Sequence, residues 1–163
     1  MSGQRIPPVS AAHESLCGVI PKIIHQTWKT DQIPDEWRAC VLSWKTLNLD
    51  WAYHLWTDEA GRSFVAEHYP DFLETYDGYS YNIQRADAIR YLVLHKHGGV
   101  YVDLDFECLR SLDDLVAGKT LIMGLEPNKQ AQWHGRKWLL SNAFMASVPK
   151  HPFLSRLIST MKQ

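Results

Sequence analysis

The chain has no excess of charge of either sign, because 17 lysines and arginines stand against 18 aspartates and glutamates in 163 residues. Proteins that bind along a nucleic-acid backbone usually carry a basic stripe, so we expect no nucleic-acid partner. Cysteines are also few, and none is spaced as a C-x-x-C pair. We therefore expect free thiols at Cys17, Cys40 and Cys108, with neither a disulfide framework nor a zinc knuckle.

Long hydrophobic runs are missing as well. The apolar stretch nearest the start, residues 19–24, is interrupted by Pro21 and Lys22 and is far shorter than the roughly 20 residues that cross a bilayer. With no evident secretory signal, the sequence predicts a soluble chain without a membrane span. Tryptophan, by contrast, is abundant: there are seven, more than a core of this size needs. Indole rings stack on sugars and bases, although plain packing is their commoner use.

Residues 1–18 are polar, contain prolines and lack periodicity, which predicts a flexible leader before a single domain at residues 19–163. Short apolar or alternating segments predict strands at residues 20–25, 52–57, 100–102, 120–124 and 143–147. Helix signals lie between them: a start at Pro34, an N-cap at Asp58, a start at Pro70, a long helix from Asn82 to Gly98, and a start at His151. This alternation predicts an α/β fold, an open and mostly parallel sheet flanked by helices, with ligands at the carboxyl ends of its strands.

Two acids, Asp103 and Asp105, follow the apolar segment 100–102. If the strand continues through them, its two-residue pleat places both carboxylates on one face. Close carboxylates repel each other unless a cation lies between them, and oxygen ligands suit Mg²⁺ or Mn²⁺ together with substrate phosphates. Acids two residues apart are common on solvated surfaces, so the prediction of a metal site depends on the position of the pair after a buried strand.

The predicted helix before this strand carries charges within an otherwise apolar sequence, and its Asp87 and Arg90 are three residues apart. Their side chains therefore share a helix face. They either form a structural ion pair at the helix surface or present an acceptor and a set of donors to hydroxyls and phosphates. His95 and His97 lie in the last turn, where cationic side chains interact favourably with the helix dipole, so we do not expect a zinc site there.

Three segments, IPKIIHQTWK, LWTD and YNIQRADAIRYLVLHKHGGVYVDLDFECLRSLDDL, together resemble glycosyltransferase family 32, whose members contain a DXD motif. Within that family the chain is most similar to inositol phosphoceramide mannosyltransferases and related α-mannosyl and α-galactosyl transferases. The similarity runs from about residue 20 to 116 and continues weakly into SNAFMAS and HPFL. It implies a GT-A-like, Rossmann-related fold. Such enzymes usually continue well past the equivalent of Gln163, so we expect a domain shortened at its carboxyl end.

The resemblance implies a metal-dependent retaining transferase that moves a hexose, foremost mannose, from a nucleotide sugar to a lipid-linked or glycan hydroxyl. The implied donor is GDP-mannose or a UDP-hexose, the acceptor a glycan or glycolipid, and the cofactor Mn²⁺ or Mg²⁺. A eukaryotic form would act in the Golgi or endomembranes and a bacterial form in the cytoplasm.

Motif positions in the family also imply roles for individual residues. Asp103 and Asp105 correspond to the metal and ribose ligands, and Arg90 to a contact with the sugar or phosphate. Asn142 corresponds to a position near the transferred sugar, which completes the implied catalytic set of four. The remaining positions implied in donor binding are Asp87, Trp28 as the ring that stacks on the base, and its neighbours His25 and Gln26.

Two other classes remain open from the residues. One is a truncated, inactive module that only binds sugar nucleotides. The other is a phosphatase of the haloacid-dehalogenase type, in which the first acid of a DxD motif accepts a phosphoryl group. That motif usually opens its domain and carries Thr or Val two residues after the second acid, whereas here Glu107 stands at that position.

Overall fold

A computed structural model describes residues 18–162, so the predicted leader lies outside the described residues except for Gly18. The described chain contains five strands: β1 (Ile23–Thr27), β2 (Ala52–Trp56), β3 (Gly99–Val102), β4 (Leu121–Leu125) and β5 (Leu140–Ser147). Its helices are α1 (Asp35–Leu47), α2 (Asp58–His68), α3 (Pro70–Gly78), α4 (Asn82–His97), α5 (Asp113–Val116), α6 (Asn128–Trp133) and α7 (Pro152–Met161). Within residues 18–162, none of the helices has both the length and the apolar character that crossing a bilayer requires.

The strands form one sheet in the order β2-β1-β3-β5-β4. β1 pairs in parallel with β2 and β3, whereas β5 runs antiparallel to both β3 and β4. Four strands therefore point the same way and end at one edge of the sheet, which we call the carboxyl edge. The predicted α/β fold with flanking helices is confirmed, and the reversal of β5, which makes the sheet mixed, is an addition to it.

Most element boundaries agree with the sequence, and three differences matter. β3 ends at Val102, so neither Asp103 nor Asp105 belongs to a strand. The N-cap of α2 is Thr57, whose hydroxyl accepts from the Ala60 N–H at 3.1 Å, rather than the predicted Asp58. The short helices α5 and α6 were not predicted, because four and six residues are too few to show a helical period.

Helices cover both faces of the sheet. One face packs Ile24, Val100 and Val102 against Trp44 of α1. On the other face, α4 lies between the sheet and the helices α2 and α7, and six of its residues are buried. Because α4 is enclosed in this way, its charged side chains need partners inside the protein.

The turn from α4 into β3 requires two glycines. Gly98 has φ 67° and Gly99 has φ 98°, values that side chains with a Cβ rarely adopt. A Cβ on Gly99 would lie 2.5 Å from the Ile23 carbonyl oxygen, and one on Gly98 would lie 2.8 Å from the Ser147 carbonyl oxygen. The predicted helix end is thus confirmed, but ψ of −162° places Gly98 outside the left-handed helical conformation that we expected.

Candidate active site

A cleft of about 410 Å³ opens at the carboxyl edge, between the ends of β1 and β2, the start of α1, α4 and the turn after β3. Its walls include three indoles, those of Trp28, Trp37 and Trp56. Its charged lining includes Lys29, Asp58, Arg90, Asp103 and Asp105. Mostly apolar walls with a few converging polar groups are typical of sites for small molecules.

The backbone of Asp103 is held on both sides. Its N–H donates to the Ala143 carbonyl oxygen at 2.9 Å, and its own carbonyl accepts from Gln26 Nε2 at 3.2 Å. In the side chain, Oδ1 accepts from the Tyr101 hydroxyl at 2.7 Å and lies 3.2 Å from Arg90 Nη1. Burial raises the pKa of the Asp103 carboxyl above its ordinary value, and Arg90 and Tyr101 only partly oppose that rise.

Tyr101 is the support of this carboxylate. Its ring is buried, and burial raises the pKa of its hydroxyl, which therefore keeps its proton at neutral pH. Because that single proton is donated to Asp103, the hydroxyl of Thr27, 3.0 Å away, must donate to the Tyr101 oxygen. This chain of hydrogen bonds fixes one oxygen of Asp103 and leaves Oδ2 with no hydrogen-bond partner within residues 18–162.

Asp105 reaches the same cleft from an exposed turn. The expectation that a strand pleat aligns the two acids is therefore wrong, because the strand has already ended and the Phe106 N–H closes a turn onto the Asp103 carbonyl oxygen at 3.2 Å. Helix α1 holds this turn: Trp44 Nε1 donates to the Phe106 carbonyl oxygen at 2.7 Å, and the Cys108 N–H donates to Ser43 Oγ at 2.8 Å.

Arg90 joins the parts of the site, and only 6% of its side chain is exposed. Nε donates to the Ala86 carbonyl oxygen at 3.3 Å, and Nη1 donates to the Asn142 carbonyl oxygen at 2.9 Å. Nη2 lies 2.9 Å from Asp87 Oδ1, so the two residues predicted to share a helix face do form an ion pair. Two of the five guanidinium N–H groups therefore donate hydrogen bonds within residues 18–162, and the carboxylates of Asp87 and Asp103 lie at ion-pair distance, which leaves donor capacity for a ligand.

Asp87 and Asn142 lie beside the cleft rather than in its lining. The Asn142 amide donates to Asp87 Oδ1 and to the Tyr91 hydroxyl, both at 3.1 Å. Both residues contact Arg90, and the Asp87 side chain is still 43% exposed. They therefore form a polar extension of the site that remains open to solvent.

The structure does not bring His25 and Gln26 into the cleft, so their assignment to donor contact does not fit. The His25 ring is 1% exposed, and Trp56 Nε1 donates to its Nδ1 at 3.1 Å. Since a carbonyl only accepts, Nε2 carries the proton and donates it to the Gly98 carbonyl oxygen at 2.9 Å. Burial lowers the pKa of His25 to about 3, so the ring is neutral. Gln26, fully buried, accepts from the Tyr53 hydroxyl at 2.8 Å and supports the Asp103 backbone instead.

Trp28 and Trp37 form two walls of the cleft. Trp28 follows β1, and its backbone N–H donates to the Trp56 carbonyl oxygen at 3.0 Å, which fixes its position. Trp37, on α1, was not among the residues predicted for the site. Its Nε1 is buried and has no hydrogen-bond partner within residues 18–162, although a buried N–H without a partner destabilises the fold. A ligand acceptor in the cleft would satisfy this donor, and the tryptophan excess was the sequence signal for it.

The residues present fit a divalent cation that a ligand helps to hold. Asp103 has an available oxygen, and Asp105 is exposed in the same cleft. Within the described range, no group of three or more His, Cys, Asp or Glu side chains is arranged to hold a metal. Mg²⁺ and Mn²⁺ often bind through only one or two carboxylates together with substrate phosphates, which matches this pair.

Known proteins resemble the chain in both sequence and fold. A family profile described as "Glycosyltransferase sugar-binding region containing DXD motif" matches residues 34–122, more than half of the chain. The chain is 43% identical over 145 residues to "Inositol phosphoceramide mannosyltransferase 2" of Schizosaccharomyces pombe, covering 89% of this chain and 39% of that protein. It is 44% identical over 144 residues to "Mannosyl phosphorylinositol ceramide synthase SUR1" of Saccharomyces cerevisiae, covering 88% of this chain and 35% of that protein.

The fold matches the solved structure of "PaToxG Glycosyltransferase" with a TM-score of 0.63, over 86% of this chain and 60% of that one. At 17% identity this likeness concerns the fold alone. The chain spans less than two fifths of the length of the two mannosylating relatives. From the profile match and these relatives, the chain belongs to the family of glycosyltransferases whose sugar-binding region contains a DXD motif.

Proposed function

We propose that the cleft binds a nucleotide sugar and that the chain transfers its hexose to an acceptor hydroxyl with retention of anomeric configuration. The observation that carries the proposal is the meeting of Arg90, Asp103 and Asp105 with aromatic walls in one cleft. Because two relatives are named for mannosylating inositol phosphoceramide, we propose mannose as the sugar and a lipid of that type, or a related glycan, as the acceptor. In a eukaryotic cell we expect this reaction in the Golgi. Family membership also sets aside the phosphatase alternative.

We assign the base of the donor to the indole walls, where Trp28 stacks on it and the unpaired Nε1 of Trp37 donates to one of its acceptors. The diphosphate lies at the Asp103 and Asp105 carboxylates. When bound there, Mn²⁺ or Mg²⁺ neutralises charge on the diphosphate. The hexose extends towards Arg90 and the adjoining amide of Asn142, whose hydrogen bonds with hydroxyls would fix its orientation.

In the reaction, the bond between the anomeric carbon and the diphosphate oxygen breaks, and the acceptor oxygen bonds to that carbon on the same face. The acceptor proton passes to the departing diphosphate. Arg90 forms ion pairs with Asp87 and Asp103, and an N–H of its guanidinium that has no acceptor within residues 18–162 donates to the negative charge that develops on the leaving group. The Asp103 carboxylate stays in place during this step, because Tyr101 holds its Oδ1 and Gln26 holds its backbone carbonyl.

The test is a screen of nucleotide sugars for thermal stabilisation in the presence of Mn²⁺, followed by a transfer assay with the donor that stabilises most. We expect stabilisation by GDP-mannose that disappears on chelation and in Asp105→Asn. The matched control is Asp114→Asn, an exposed acid in α5 outside the cleft lining, which should behave as the parent chain. Equal stabilisation of the two variants would refute the proposed site. Manganese-dependent binding without turnover would instead favour the inactive binding module.

A further inference from the structure

A segment between β4 and β5 projects from the carboxyl edge of the sheet. We call residues 125–140, which include α6, the β4–β5 excursion. Leu125 pairs with Leu140 at its base, and the Glu126 N–H donates to the Leu139 carbonyl oxygen at 2.8 Å. Since β4 runs in the same direction as β3, the excursion leaves the sheet at the carboxyl edge, where Asp103 begins the turn after β3.

The excursion exposes large apolar side chains that the core does not use. Trp133 is 72% exposed and Trp138 is 65% exposed, and Leu125 and Leu140 at the base are 64% and 52% exposed. Within α6 only Ala131 is buried. Two largely exposed indoles within six residues are unusual for a surface that faces water alone, and they indicate a binding surface.

Cationic side chains accompany the indoles. Lys129 Nζ lies 5.5 Å from the ring centroid of Trp133, and Lys137 Nζ lies 4.4 Å from that of Trp138. With Arg136, the excursion carries three cations against the single acid Glu126, whereas the whole chain has a net charge of −1. Positive charge is therefore concentrated on the same segment as the exposed rings.

We propose that the β4–β5 excursion docks on the surface of an anionic lipid bilayer. Indoles settle at the boundary between headgroups and acyl chains, and neighbouring lysines and arginines bind anionic headgroups. An acidic protein partner would account for the cations, but it would not by itself account for two largely exposed indoles beside them. The purpose of this docking rests on the proposed function: it would bring the cleft to a membrane that contains the lipid acceptor.

The backbone hydrogen bonds of the β4–β5 excursion do not involve the two indole rings, so replacing these rings should not unfold the segment. The Arg136 N–H donates to the Ala131 carbonyl oxygen at 2.9 Å, and Gly135, with φ 63°, reverses the chain between them. Neither Trp133 nor Trp138 belongs to a buried cluster. Variants at these positions therefore test docking separately from folding.

The test is flotation of the full chain with vesicles of phosphatidylcholine alone or with added phosphatidylserine, without donor. We expect binding to the anionic vesicles that weakens as salt is raised. W133A/W138A should bind on the order of a hundredfold more weakly, because burial of each ring contributes roughly tenfold. K129Q/R136Q/K137Q should bind on the order of a hundredfold more weakly, since each cation near an anionic surface contributes about fivefold.

The control variant K45Q/L49A removes an exposed cation and an exposed leucine that precede β2 at the opposite edge, and it should bind as the parent chain does. Absence of flotation, equal flotation of W133A/W138A, or concentration-dependent self-association abolished by W133A/W138A would each overturn the docking. Donor binding is measured separately, by Mn²⁺-dependent thermal stabilisation without vesicles. If the parent chain binds donor but does not float with anionic vesicles, the docking alone is refuted; if it floats but does not bind donor, only the proposed donor site is refuted.

Discussion

Two polar clusters lie beside α4, and the α4 residues Arg90 and His97 that belong to them are about 10 Å apart along the helix. The cleft cluster consists of Asp87, Arg90, Tyr101, Asp103 and Asn142. The histidine cluster lies towards the end of α4 and consists of His25, His54, His68 and His97, whose neighbouring rings have centroids 6.0 to 6.2 Å apart. Each is built around a buried basic side chain, Arg90 in the cleft cluster and His25 in the histidine cluster, yet the unused bonding capacity of the two clusters differs.

In the histidine cluster the one buried ring, His25, is fully bonded within the protein. His25 uses both ring nitrogens within the protein and stays neutral. In the cleft cluster, burial raises the pKa of Asp103, one carboxylate oxygen is left without a protein partner, and Arg90 retains a donor. Polar residues beside a buried helix are therefore structural when all their hydrogen bonds are made within the protein, and are candidates for ligand binding when donors or acceptors remain unpaired.

The largest expected effect is on stability, from His25→Ala. The substitution leaves the Trp56 indole N–H and the Gly98 carbonyl without their partner and opens a cavity, so the free energy of unfolding should fall by about 3–5 kcal/mol. Urea denaturation measures this change, with the exposed His134→Ala as control at less than about 0.5 kcal/mol. Donor affinity of the folded fraction should stay within about threefold. A variant that folds normally but loses donor binding would reverse the assignment of the two clusters.

Asp103→Asn should give the opposite pattern to His25→Ala, with little change in stability and a large loss of activity. The amide oxygen can still accept from Tyr101, and the change removes a charge that burial disfavours, so the free energy of unfolding should change by less than about 1 kcal/mol. Turnover, or Mn²⁺-dependent donor affinity, should fall roughly 10²–10³-fold. Calorimetry and a transfer assay measure these, with the exposed Asp71→Asn on α3 as control. Full activity in Asp103→Asn would leave the cleft cluster as structural as the histidine cluster.

The pH dependence of the free energy of unfolding should also distinguish the two clusters, although the expected effect is smaller. Unfolded His25 binds a proton near its ordinary pKa of 6.5, but the folded protein binds it only near 3, so the unfolded state holds more protons between these values. Stability is therefore complete above about pH 6.5 and falls on acidification by up to about 1.4 kcal/mol per pH unit. Urea denaturation at neutral pH and at about pH 5 measures the slope, which should flatten in His25→Ala. Burial also lowers the pKa of His95 and His97, so part of the slope should remain. An unchanged slope in His25→Ala would contradict a neutral, buried His25.

Much of the fold follows from local signals in the sequence. The long helix α4 and its end at Gly98 were predicted because an apolar period and a glycine pair act within a few residues. The reversal of β5 was not predicted, since strand direction depends on pairing partners more than forty residues away, such as Val102 with Phe144. The turn that carries Asp105 was missed for a related reason: it is held by side chains of α1, whose contacts no local pattern describes.

The site residues were predictable where a sequence motif fixes their spacing, and less so where the direction of a side chain determines whether it reaches the cleft. Asp103, Asp105 and Trp28 reach the cleft as expected. His25 and Gln26 are adjacent in sequence to Trp28, but successive side chains of a strand point to opposite faces, and both faces of β1 are covered. Trp37 shows the converse case: it lines the cleft although no motif marks it, because the helical spacing of apolar residues does not reveal whether an indole N–H meets a protein acceptor.

Trp37→Phe is the finest test of the comparison, since it removes the unpaired indole N–H and keeps an aromatic wall in the cleft. If an atom of the nucleotide sugar accepts a hydrogen bond from Trp37 Nε1, the dissociation constant for the nucleotide sugar should rise about five- to tenfold in Trp37→Phe, as expected for the loss of one hydrogen bond. The free energy of unfolding should stay the same or rise slightly, because a buried donor without a partner is removed from the free protein. Calorimetry with Mn²⁺ and GDP-mannose measures the affinity, and Trp133→Phe, on an exposed ring outside the cleft, is the matched control. Raised stability with unchanged affinity would mean that the indole only packs against the ligand, so that the open bonding capacity of the cleft would be limited to Arg90 and the carboxylates.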